Sequence, residues 1–213
     1  MRIVNTAEQE DSTTVPLHLH AMDNISYIRE TMSRSAQFTA VPGWGMVIVG
    51  CFATLGSYVA TLHLSADWWL NTWVIIGVVS MVIGMVSMRL KATKGQTQIF
   101  SAAGKRFLYC FTPTIVTGMA MTDMFYWNGM EHLLPAMWLV LYGLAVLTAG
   151  TFSNPIVPFL GLTIFVLGIM TMQLPYLFSP VIGTYALADI CMVTGFGFSH
   201  IIFGLIIALR YGG

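Results

Sequence analysis

Asp189 and His200 stand eleven positions apart within one long apolar stretch of the sequence. On an α-helix that is about three turns, which sets both on one face roughly 16 Å apart along the axis. Ionisable groups at such depth are costly, and a proton or cation path is the usual chemistry that retains them. The competing reading is structural: a neutral imidazole can bond a carbonyl or hydroxyl of a neighbouring helix, and Ser199 can bond in the same way.

A second set of polar residues falls near the opposite ends of neighbouring apolar stretches. Asp123 and Asp189, with Glu131, His132, His63 and Asp67, would give four carboxylates and two imidazoles on one side of the molecule. Brought together they could hold a divalent cation or relay protons. Acidic residues also collect there simply because basic ones are kept on the other side. The run Met119-Ala-Met121-Thr-Asp-Met124, with Met130, His132, Met137, Met170 and Met172, has the thioether and imidazole donors that suit cuprous copper. Methionine is equally an ordinary apolar filler, and the chain has 15 of them. The expectation is therefore no bound cofactor, with copper or another divalent ion as the alternative.

Several chemistries are excluded by counting. A bis-histidine haem needs two imidazoles at one depth, and only His200 is central. Ser199 and His200 are adjacent on one helix and point apart, so they do not form a hydrolytic pair. There is no HExxH, no phosphate-binding glycine loop and no net basic charge to hold nucleic acid, since nine Lys/Arg balance nine Asp/Glu. Cys51, Cys110 and Cys191 lack ligand spacing and read as small apolar residues. No enzyme signature is present.

The elements that must position these residues follow from composition. Of 213 residues, 56% are hydrophobic and only 8% charged, so the chain lacks the polar surface of a soluble domain. A bilayer core requires about 20 apolar residues per helix, and six runs meet that requirement. They are Gly43 to His63, Leu70 to Met88, Phe107 to Trp127, Leu133 to Phe152, Ile156 to Leu177 and Tyr185 to Leu209. The runs are too long and uniform for barrel strands. The expected fold is all-α and polytopic: six transmembrane helices arranged as three hairpins, over residues 43–213.

Residues 1–22 read as a flexible cytoplasmic segment and 23–42 as an amphipathic interfacial helix and turn. Asp23 would cap that helix, with Ile25, Ile28 and Met32 on its apolar side. No secretory leader is recognisable, so the first spanning helix is expected to direct insertion. Ser153-Asn154-Pro155 reads as a tight turn, with Asn154 capping the fifth helix and Pro155 at its first position. Trp68, Trp69 and Trp73 are expected at the headgroup level. Arg89, Lys91, Lys94, Lys105 and Arg106 mark the connection between the second and third helices as cytoplasmic. Six crossings then put both termini on the cytoplasmic side.

Glycines repeat at a spacing of seven. Gly77 and Gly84, Gly143 and Gly150, and Gly197 and Gly204 lie in the second, fourth and sixth helices; Gly43 and Gly50, and Gly161 and Gly168, lie in the first and fifth. Seven residues return to nearly the same face, so each pair offers a smooth strip for a neighbouring backbone. The even-numbered strips are expected to pack helices, and the Gly43 and Gly161 strips to serve self-association.

The words Leu19-His-Ala-Met-Asp-Asn24, Ile28-Arg-Glu-Thr-Met32, Phe38-Thr-Ala-Val-Pro-Gly-Trp-Gly45 and Gly195-Phe-Gly-Phe-Ser-His200, with the closing Arg210-Tyr-Gly-Gly213, carry a resemblance. The sequence resembles a group of uncharacterised bacterial six-helix inner-membrane proteins of acidobacterial type. It is more loosely similar in pattern to acid-resistance membrane proteins built from glycine-bearing hairpins. Either resemblance implies a topology and no reaction.

The leading expectation is a non-enzymatic membrane protein working through protein contacts, as an accessory subunit, sensor or stress-related factor. Its partners would be the bilayer and either further copies of itself or other membrane proteins. The alternative is a small proton or metal-ion transporter using Asp123, Asp189 and His200. Thr114, Thr117, Thr122 and Thr194 would supply hydroxyls, and Pro113 and Gly118 would loosen the third helix.

Overall fold

The computed structural model describes residues 21–28, 32, 37–62, 65–95, 99–177 and 189–212. The chain divides into two compact units, Met1–Ala36 and Gln37–Gly213. In the first, residues 21–28 are helical and exposed throughout. Asp23 lies inside this helix, its carbonyl accepting from the Ser26 hydroxyl at 2.8 Å, and so does not cap it. Most of the expected flexible segment, residues 1–20, and Arg29, Glu30 and Arg34 lie outside the described residues.

The second unit begins before the expected boundary at residue 43. Phe38, Ala40 and Val41 are buried. The Phe38 N–H donates to the Phe152 carbonyl at 2.7 Å, and the Ser153 hydroxyl donates to the Phe38 carbonyl at 2.7 Å. Apolar side chains and a backbone with nowhere else to bond draw this segment onto the helices instead of leaving it at an interface.

This unit is helical. Its principal helices among the described residues are α1 (Gly43–Ala60), α2 (Ala66–Lys94), α3 (Ala102–Trp127), α4 (Leu134–Gly150), α5 (Val157–Leu177) and α6 (Asp189–Tyr211). Four are long and apolar enough to cross a membrane: α1, α2, α6, and α4 taken with the short turn Glu131–Leu133 before it. Ser65 caps α2, its hydroxyl accepting from the Trp68 N–H at 3.2 Å, and Ser101 caps α3 in the same way through Gly104. Arg89, Lys91 and Lys94 extend the last turns of α2 and Lys105 and Arg106 begin α3, leaving a shorter connection than the apolar runs alone suggest. Helix α5 starts at Val157, so Pro155 sits in the turn and not at the first helical position, although the Asn154 side chain accepts from the Ile156 N–H at 3.4 Å.

Small residues decide the packing. The buried face of α1 is made only of Gly43, Gly45, Gly50, Ala53, Ser57 and Ala60, which lets two backbones approach. A Cβ at Gly43 would stand 2.3 Å from the Ala208 nitrogen of α6, and one at Gly50 would stand 2.6 Å from the Gly197 carbonyl. Likewise a Cβ at Gly143 of α4 would come within 2.4 Å of the Phe165 nitrogen of α5, and one at Gly161 of α5 within 2.2 Å of the Leu147 nitrogen of α4. Thus α1 lies against α6 and α4 against α5, each through a pair of matched glycine strips.

Consecutive helices α1 and α2, and α3 and α4, also pack together. The fifth and sixth helices do not form the close hairpin expected: α5 takes α4 as its main partner and α6 takes α1. The strips Gly43/Gly50 and Gly161/Gly168, expected to face other copies, are used up inside the molecule. The strip Gly77/Gly84, expected to pack a neighbour, has no atom within 4 Å of either would-be Cβ.

Candidate functional site

Helix α6 is interrupted by a π-helical turn, Val193–Phe198, containing Gly195 and Gly197. Such wide turns release the α-helical bond pattern and recur at functional sites. The side chains of the next two residues reach back five positions to the freed carbonyls. The Ser199 hydroxyl donates to Thr194 at 2.8 Å, and His200 Nδ1 lies 3.3 Å from the Gly195 oxygen. A carbonyl can only accept, so Nδ1 carries the proton in this contact. That leaves the Nε2 lone pair for the Tyr142 hydroxyl of α4, 2.8 Å away. His200 is buried, and both ring nitrogens are satisfied as a neutral imidazole.

At the start of the same helix, the buried Asp189 accepts through Oδ1 from the Trp69 indole N–H of α2 at 2.6 Å. Trp73, one turn further along α2, is buried beside Trp69 with ring centroids 6.1 Å apart. Its Nε1 is buried without a hydrogen-bond partner. From Trp73 a row of rings runs to His200: Trp73 meets Phe196 at 6.3 Å, and Phe196 meets Tyr142 at 5.1 Å and His200 at 6.3 Å. Phe111 of α3 closes the row edge-on to Tyr142 at 6.0 Å.

Asp189 and His200 therefore share a helix and are both enclosed, each bonded to a different partner. Asp123 does not join them. It is exposed on α3, where it accepts from Trp127 of its own helix at 3.1 Å. The hydroxyls expected to line a route are turned back onto their own helices: Thr117 to Pro113, Thr122 to Gly118 and Thr194 to Ile190 at 2.6–2.9 Å, with Thr114 to Cys110 at 3.4 Å. Thr122 in addition accepts from the Trp138 indole at 2.9 Å, and Gly118 receives the Trp138 ring. Helix α3 runs unbroken through Pro113.

The thioether set also disperses. Met121 turns toward the core while Met119, two positions away and on another face, and Met124 are exposed. Met130, Met170 and Met172 are exposed, Met137 is fully enclosed, and His132 is exposed. Asp67 accepts instead from Tyr126 at 2.8 Å, joining the start of α2 to the end of α3. Among the described residues there is no group of three His, Cys, Asp or Glu side chains placed to hold a metal ion. His63 lies outside the described residues.

The residues that sequence reasoning missed are Trp69, Trp73 and Tyr142. Only Trp68 of the three tryptophans stays at the surface, its indole donating to the Val59 carbonyl at 3.1 Å. Trp69 and Trp73 are four apart, on the face that also carries the buried Ile76, and that spacing was the available signal. Tyr142 gives none, being one of two rings, with Trp138, on a uniformly apolar helix.

The chain matches no family model, no curated protein and no solved structure.

Proposed function

We propose that this chain is a six-span protein of a bacterial inner membrane, with both termini cytoplasmic, that works by contact with other proteins and not by catalysis. In this reading α3 and α5 cross the bilayer with the four strongly apolar helices, and the basic ends of α2, α3 and α6 lie inside. The role is that of an accessory subunit, sensor or stress-related factor.

One observation carries the proposal. Of five glycine strips with the same spacing, four pair off within the molecule, α1 with α6 and α4 with α5, and the fifth is left over. That strip, Gly77/Gly84, lies on α2, of whose apolar stretch only 6% is buried, against 33% for α1 and 56% for α4. A helix so bare, carrying the same close-packing device that its neighbours use on one another, is the natural contact face. Its simplest complement is the same strip on a second copy, meeting it about a two-fold axis.

Cysteine crosslinking in native membranes tests this. In a background with Cys51, Cys110 and Cys191 replaced, Met81→Cys, exposed between the two glycines, is expected to give a disulfide dimer. Leu55→Cys, exposed on α1, is expected to give none, and Gly84→Ile is expected to abolish the Met81 crosslink. Absence of the crosslink, or its indifference to Gly84→Ile, removes α2 as the contact face.

A second reading, transport of protons or cations, is favoured by one feature: two buried ionisable residues on a single helix that holds a π turn. Its route is reduced to Asp189 and His200. Flux into reconstituted vesicles that disappears in Asp189→Asn or His200→Ala would support it over the contact reading.

A further inference from the structure

Helix α3 packs against α4 through Phe111, Gly118 and Thr122, which meet Tyr142 and Trp138. Its opposite face carries an open groove of about 540 Å³ lined by Leu108, Tyr109, Thr112, Pro113, Val116 and Thr117. The lining has an order. Lys105, outside the groove and one turn before it, stands in line at helical spacing with the lining residues Tyr109, Thr112 and Val116 on one exposed stripe, so a cation beside the groove gives way to a phenol, then a hydroxyl, then apolar surface within it. Pro113 has no N–H to offer the Tyr109 carbonyl four residues before it, which leaves that acceptor free beside the stripe.

The length fits as well as the order. From Lys105 to Thr117 the helix rises about 18 Å, close to one leaflet of a bilayer core about 30 Å thick. An anionic head at Lys105, ester and hydroxyl groups beside Tyr109 and Thr112, and an acyl chain over Pro113 and Val116 would satisfy the stripe throughout.

We infer that this groove is a binding site for a phospholipid with a net negative headgroup, held on the cytoplasmic side of α3. The inference rests on the reading above in which α3 crosses the membrane. Lys105 sets the preference for charge, and the groove behind Pro113 sets the requirement for a chain.

Native mass spectrometry of the purified protein tests it, with phosphatidylglycerol and phosphatidylcholine of identical chains as probes. One lysine near the headgroups corresponds to a preference of about five-fold for the anionic lipid. That preference is expected in the native protein and in Lys105→Arg, to vanish in Lys105→Gln, and to survive Lys94→Gln, a control at the exposed end of α2. Glycerol phosphate, which has the head and no chain, is expected not to displace the lipid; full displacement would mean an aqueous anion site and overturn the proposal. Equal retention of the two lipids, or a Lys105→Gln variant that behaves like the native protein, also overturns it. Thr112→Cys in the cysteine-replaced background, treated in membranes with an impermeant maleimide, separates the two levels. Labelling would show that α3 does not cross, whereas protection combined with no lipid preference would dismiss the groove alone.

Discussion

Adding one methyl group to Gly161 should separate α4 from α5. Its Cβ would lie 2.2 Å from the Leu147 nitrogen and 2.5 Å from the Leu147 Cα, both backbone atoms that cannot rotate away. Reaching an ordinary contact requires the two helices to part by about 1 Å, a gap that forfeits as much as half of the dispersion well for atoms along the seam. Overpacking of this kind costs about 1–3 kcal/mol, and the backbone setting places Gly161→Ala at the upper end. Better helix propensity returns about 1 kcal/mol, leaving a net loss of about 2 kcal/mol. In the detergent-dispersed monomer Gly84→Ala is the matched control, because nothing described in its own chain lies within 4 Å of its Cβ and the propensity gain stands without a clash. Reversible unfolding of the two variants in mild detergent should therefore move in opposite directions, Gly161→Ala down and Gly84→Ala level or slightly up. A Gly161→Ala variant as stable as the native protein would refute the close α4–α5 seam, and with it the pairing of strips on which the contact face was chosen.

Three further outcomes follow from the polar contacts that join separate segments. Asp189→Asn keeps an acceptor for the Trp69 indole and should cost little, whereas Asp189→Leu strands that donor and should cost about 1–3 kcal/mol by the same unfolding assay. Tyr142→Phe leaves His200 Nε2 without its donor and should destabilise by about 1 kcal/mol, while His200→Phe combined with it should recover part of the loss in a double-mutant cycle. Lys91 donates to the carbonyls of Val41, at 3.0 Å, and of Gly212, so Lys91→Met should speed hydrogen exchange at the entry to α1 and at the end of α6 together.

The helices were legible in run length, each apolar run overlapping one observed helix, and four of those helices are long and apolar enough to cross a membrane. Their ends were less so, since Arg89 to Lys94 continue a helix past the apolar stretch that suggested it. Glycine spacing was visible, but not which strip meets which: the Gly43 strip, expected to face another copy, meets Ala208, while Gly77, expected to pack a neighbour, meets nothing among the described residues. Asp189 and His200 stood out as charges in apolar sequence. Their partners did not, because Trp69 and Tyr142 are amphipathic rings equally at home at an interface or inside, and the π turn that re-aims Ser199 and His200 leaves no trace beyond two glycines.

The seam between α1 and α6 bears on how the protein is made. Helix α1 is synthesised with Gly43 and Gly50 uncovered, and the surface that covers them lies at residues 197–208. At synthesis rates of about 5–20 residues per second, roughly ten to thirty seconds pass before that surface emerges. During that interval α1 exposes a groove shaped for a helix backbone, which another glycine-bearing helix could occupy. Chains shortened before α6 would keep that groove open, with α2 the next helix in the chain that packs against α1.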